Sequence, residues 1–214
     1  MMHAQAWAWG ALFLLGAYHG INPAMGWLFA VALGLQKKSG RAVWESLLPI
    51  ATGHVVAIAA VILLAVLAGA VVPAHGLRIA VVVILIGFGV YRIVSKGHPS
   101  FGGMQVGFRD LTVWSFLMAC AHGAGLMLLP VLLGMSAMGA GHETHLGAFP
   151  SVKMQLLAVA IHTCGYLLLT GTIAWIVFTR LGVSVLRQAW LNLDFVWAVA
   201  LIATAGLMLV FSWF

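Results

Sequence analysis

The chain has 214 residues, of which 64% are hydrophobic and only 7% charged. That balance excludes a soluble domain, which needs far more polar surface to cover a core of this size, and leaves an integral membrane protein. The formal charge of +6 is concentrated in short stretches between apolar segments, so it reads as a topology signal and not as a nucleic-acid surface.

A membrane-spanning helix takes about 20 apolar residues, so the chain has room for about six and for little else. The expected segments are 6–35, 44–72, 78–95, 111–134, 153–179 and 191–213. No Lys or Arg lies within Met1–Gln5 to start a cleavable signal peptide. The first segment is too long for one straight span and contains Asn22-Pro23 between Gly20 and Gly26. Proline removes a helix hydrogen bond and crowds the carbonyl of residue 19, so a break is expected at Asn22-Pro23. With the N-terminus outside, Lys37, Lys38, Arg41, Arg92, Lys96, Arg109, Arg180 and Arg187 fall inside, and only Arg78 and Lys153 fall outside. The positive-inside rule then puts both termini on the extracytoplasmic side of a bacterial inner or plasma membrane.

Four histidines, His19, His54, His122 and His162, fall near the middle of these segments. A strongly polar side chain at bilayer depth must be hydrogen-bonded, paired or metal-bound, and marks a candidate functional site. At roughly 1.5 Å of rise per residue, all four approach the midplane. Neutral imidazole binds nickel, cobalt, copper, zinc and iron. The four acids, Glu45, Asp110, Glu143 and Asp194, all lie near segment ends. The competing reading of the histidines is polar glue between helices.

An internal repeat runs through the same positions. Leu14–Gly26 (LLGAYHGINPAMG) parallels Leu117–Pro130 (LMACAHGAGLMLLP), and Gly53-His54-Val55 parallels Ile161-His162-Thr163. An odd number of spans per repeat inverts the second copy. The expected fold is therefore a single all-α transmembrane domain over 1–214, with two inverted three-helix repeats at about 6–95 and about 111–213. Inverted repeats with broken helices meeting at the midplane are a transporter pattern.

The stretch His19-Gly20-Ile21-Asn22-Pro23-Ala24-Met25-Gly26-Trp27 resembles the first-helix motif of the NicO-type nickel/cobalt transporter family, His-Ala-x-x-Pro-Gly-His-Gly-Lys. His19, Pro23 and Gly26 match. Ala24 stands for a glycine, Met25 for the second histidine and Trp27 for the lysine. Thr52-Gly53-His54 resembles that family's second-helix histidine. The similarity covers about 40 residues and implies a carrier of the lysine-exporter-like, six-span superfamily.

Several further residues enter as candidates. Met25 would soften a metal site towards Cu(I), and Asn22 or the freed carbonyl of His19 would offer oxygen. Met135, Met138, His142, Glu143 and His145 form a candidate outer capture loop. Tyr166 lies four residues after His162, where it either orients that ring or, as is more common, simply packs. Cys120 and Cys164 are expected to be buried and inert, since residues two apart on a helix face nearly opposite ways. Trp7, Trp9, Trp44, Trp114 and Trp213 read as interfacial anchors.

The leading expectation is a secondary transporter or permease, not an enzyme, moving a transition-metal cation (nickel/cobalt or copper) through His19, His54, His122 and His162. No covalent cofactor is expected; the metal is cargo. Two alternatives stay open: a membrane haem or metal redox protein, and a structural or assembly subunit of a membrane complex. Expected partners are the lipid bilayer, a small cation, and either a second copy or a membrane partner subunit.

Overall fold

The computed structural model describes residues 2–94, 107–138, 149–181, 199, 201–206 and 209–210. These form helices throughout, with no strand among the described residues. In lipid no water replaces a lost backbone hydrogen bond, so apolar runs of this length are stable only as helices. The order is α1 (Met2–Ile21), a 3-10 turn (Pro23–Met25), α2 (Trp27–Gln36), α3 (Gly40–Gly69), α4 (Ala74–Val94), α5 (Phe108–Ala121), α6 (Ala124–Met138) and α7 (Val152–Ile176), the last extended by a π turn over Val177–Leu181.

Among the described residues three helices are long and apolar enough to cross a membrane: α3, α4, and α7 with its extension. The α5–α6 pair makes a fourth if counted as one bent span. Their outward faces carry large apolar side chains, among them Leu63, Leu64, Ile84, Leu156 and Leu168, which suits contact with acyl chains. Of the expected sixth segment, the described residues 199, 201–206 and 209–210 are helical. Leu201 and Ala205 within it are fully buried.

The break in the first segment falls where proline predicts it. Asn22 caps the 3-10 turn by accepting a hydrogen bond from Ala24 N at 2.9 Å. Gly26 then takes φ +151° and starts α2. The fourth segment is not the continuous helix expected over 111–134. It bends by 58° between α5 and α6, because His122 ends α5 as its C-cap and Gly123 adopts φ +68°. Glycine reaches that left-handed conformation without the steric cost a side chain carries. Pro130, the only proline of the segment, sits inside α6 and does not set the bend.

Among the described residues the two most extensive helix interfaces are α1 with α7 and α3 with α5. Both rest on backbone-to-backbone approach at glycine. A Cβ on Gly16 would lie 1.9 Å from the His162 carbonyl oxygen, and one on Gly53 would lie 2.2 Å from the Thr112 carbonyl oxygen. Small residues at such crossings let helices meet where lipid offers no hydrophobic driving force.

Candidate functional site

The α1–α7 contact brings His19 and His162 together, and α3 adds His54. All three are fully buried. Their ring centroids form a triangle of 5.1 Å (His19–His162), 5.5 Å (His54–His162) and 5.8 Å (His19–His54). His122, at the end of α5, is buried and lies within electrostatic range of His19.

Hydrogen bonds set the tautomers. His19 Nδ1 faces the Leu15 carbonyl at 2.7 Å, His122 Nδ1 the Met118 carbonyl at 2.8 Å, and His162 Nδ1 the Leu12 carbonyl at 3.2 Å. A carbonyl oxygen only accepts, so each Nδ1 carries the proton and donates. Each Nε2 then holds a lone pair. Metal-ligating imidazoles are commonly oriented in this way, one nitrogen donating to a carbonyl and the other facing the ion.

His54 differs from the rest. Neither of its ring nitrogens has a hydrogen-bond partner among the described residues. Its ring is held by stacking on Tyr166, with centroids 4.0 Å apart and planes within 17°, and lies parallel to His162 within 5°. Of the two readings of Tyr166, partner to His162 or packing, the contacts favour packing. Tyr166 lies against His54 across the α3–α7 contact, and its hydroxyl donates to the Met25 carbonyl.

Imidazoles bound to one ion through single nitrogens at about 2.0–2.1 Å have centroids roughly 5 Å apart. The triangle has that size, but its rings are not aimed at a common point. In-plane lone pairs of the parallel His54 and His162 rings do not converge. Accordingly, among the described residues no group of three His, Cys, Asp or Glu is arranged to hold a metal ion as it stands. A turn of the His54 ring is required. It breaks no hydrogen bond of that ring and gives up a stacking contact of about 0.5–1.5 kcal/mol. A haem does not fit between His19 and His162, because Gly16 and Gly165 bring the backbones of α1 and α7 into contact and leave no slot for a macrocycle.

The helix break is closed by aromatic donors. Trp27 Nε1 donates to the Ile21 carbonyl at 2.9 Å, Trp114 Nε1 to the Ala24 carbonyl at 3.2 Å, and Tyr166 to Met25. The His19 carbonyl accepts from Asn22 N at 3.3 Å, so it is not a free ligand. Asn22 uses its Oδ1 as the cap; its Nδ2, which has no partner among the described residues, carries no lone pair for a metal. Met25 is buried in the core beside the break. Trp114, expected as an interfacial anchor, is half-buried, packs on Phe29 with centroids 5.0 Å apart and caps a carbonyl. Sequence reasoning missed this trio of caps. Their signal was present, since an unwound helix in lipid needs donors for its released carbonyls, and indole and phenol are the donors apolar segments carry.

Cys120 and Cys164 are free and exposed, not buried. The same geometry that turns each away from its histidine turns it away from the core. Met135 and Met138 belong to α6 and not to a loop, because the apolar run continues through them, and Met135 is buried. His142, Glu143 and His145, the rest of the expected capture loop, lie outside the described residues. No family model, no curated protein and no solved structure matches this chain.

Proposed function

We propose that the chain is a secondary transporter or permease for a transition-metal cation. The observation that carries this reading is the triangle of three fully buried imidazoles from α1, α3 and α7, with centroids 5.1–5.8 Å apart. Polar rings cluster this way at bilayer depth against a desolvation cost, and ion handling is the function that cost serves.

The architecture proposed with it is six spans in two inverted three-helix repeats, with both termini extracytoplasmic. Two features support the repeat. Each broken helix stops within two residues of a histidine whose Nδ1 donates to the carbonyl four residues earlier, His19 to Leu15 and His122 to Met118. The largest interfaces also exchange partners between halves, α1 with α7 and α3 with α5, as a two-fold relation requires. Rocking one half against the other would open the histidines to each side in turn. The resemblance of His19–Trp27 to a nickel/cobalt carrier motif agrees with this class of cargo.

The test is metal accumulation in cells carrying His19→Ala, measured by element analysis and scored against membrane insertion. Loss of accumulation with normal insertion is expected. Wild-type accumulation by an inserted His19→Ala protein refutes the proposal.

A further inference from the structure

Resting on the transport reading above, we infer that the cargo is a monovalent soft cation of the Cu(I) class, and not a divalent ion such as nickel or cobalt.

Charge is the first ground. Every buried polar side chain among the described residues is a histidine, an amide or a hydroxyl. The two described carboxylates are exposed at helix starts: Glu45 pairs with Arg41 at 2.6 Å, and Asp110 accepts from Gly107 N at 3.0 Å. The Nδ1–H groups of His19 and His162 donate to carbonyls and not to carboxylates, so no anion reaches the site through them. Among the described residues no buried counter-charge is present to offset an ion held in this low dielectric. The penalty of holding it there grows with the square of the charge, about fourfold from a monovalent to a divalent ion.

Donor number is the second ground. Near the helix break the backbone and amide oxygens are engaged, and only the buried hydroxyls of Thr163 and Thr170, weak neutral donors, lack a partner among the described residues. The carbonyls of Ile21, Ala24 and Met25 hold Trp27, Trp114 and Tyr166, and Asn22 Oδ1 holds Ala24 N. Imidazole suits copper and nickel alike, but nickel favours square-planar or larger ligand sets. A d10 monovalent ion is satisfied by few ligands and imposes no such geometry. His54, with no hydrogen bond to break, is the ring free to turn and complete a low-coordinate site.

The experiment is equilibrium dialysis of the full-length protein in detergent, with element analysis, against Ag(I), Cu(I) kept reduced, Ni(II), Co(II) and Zn(II). Stoichiometric retention of Ag(I) and Cu(I), with at least about tenfold weaker retention of the divalent ions and loss of Ag(I) in His54→Ala, supports the inference. Histidine-dependent retention of a divalent ion in preference to Ag(I) overturns it and leaves a metal carrier standing. Retention of no metal overturns both. X-ray absorption of the Cu(I)-loaded wild type is independent of how any variant folds. A low-coordinate, nitrogen-only shell is expected; a shell containing oxygen or dominated by sulfur overturns the inference.

Discussion

Replacing His54 by phenylalanine separates a functional histidine from polar glue. In the wild type both ring nitrogens are buried without a hydrogen-bond partner among the described residues, a burden of about 1–3 kcal/mol for each unsatisfied group. Phenylalanine removes that burden and keeps a flat ring on Tyr166, where the centroid separation is 4.0 Å. Its larger ring opposes the gain, since overpacking costs about 1–3 kcal/mol. The two effects offset, so the thermal midpoint in detergent should stay close to wild type or rise. Metal retention should be lost. His162→Phe provides the contrast within the same triangle: it forfeits the bond from Nδ1 to Leu12, a net contribution of about 0.5–1.5 kcal/mol, and should lower the midpoint. The reasoning fails if His54→Phe unfolds at markedly lower temperature while metal retention persists. That pair of results is what a histidine serving only to bind helices together would give.

Two further outcomes follow from the packing. Gly16→Ala drives a Cβ to 1.9 Å from the His162 carbonyl oxygen, a backbone atom, whereas a Cβ on Gly10 meets nothing within 4 Å among the described residues. Gly16→Ala should therefore destabilise by a few kcal/mol, on the order of 1–3 for overpacking plus loss of the neighbouring His162 bond, while Gly10→Ala should be neutral or gain up to about 1 kcal/mol; equal thermal midpoints for the two would contradict the α1–α7 contact. Tyr166→Phe keeps the stack on His54 but leaves the Met25 carbonyl without its donor, costing about 1–3 kcal/mol, with faster hydrogen exchange expected in residues 22–27; unchanged exchange there would show that the hydroxyl does not hold the break.

The first break was legible because proline acts locally: Pro23 has no N–H to give, whatever surrounds it. The second was not, because Gly123 is one of several glycines in its segment, and only tertiary packing selects the one that takes φ +68°. The burial of the four histidines followed from their positions in long apolar runs. Which ring faces which did not, since Tyr166 is four residues from His162 yet reaches across to α3, a contact that depends on how α3 and α7 cross. The inward bond of Trp114 was hidden for a related reason. Its place near a segment end suggests an interface, but the break in a helix 90 positions away in sequence presents a carbonyl that draws the indole inward. The cysteines show periodicity applied halfway: facing away from a histidine in the core means facing lipid.

The three aromatic caps on the first helix break come from α2, α5 and α7. They fasten one flexible joint to separate parts of the molecule. Inside a bilayer a carbonyl pulled from its cap finds no solvent to take over. Any swing of α1 must release these fastenings and find substitutes in the same movement. Displacement at this joint is therefore a jump between distinct arrangements rather than a gradual flexing, and its rate should depend on the aromatic pins more than on the imidazoles.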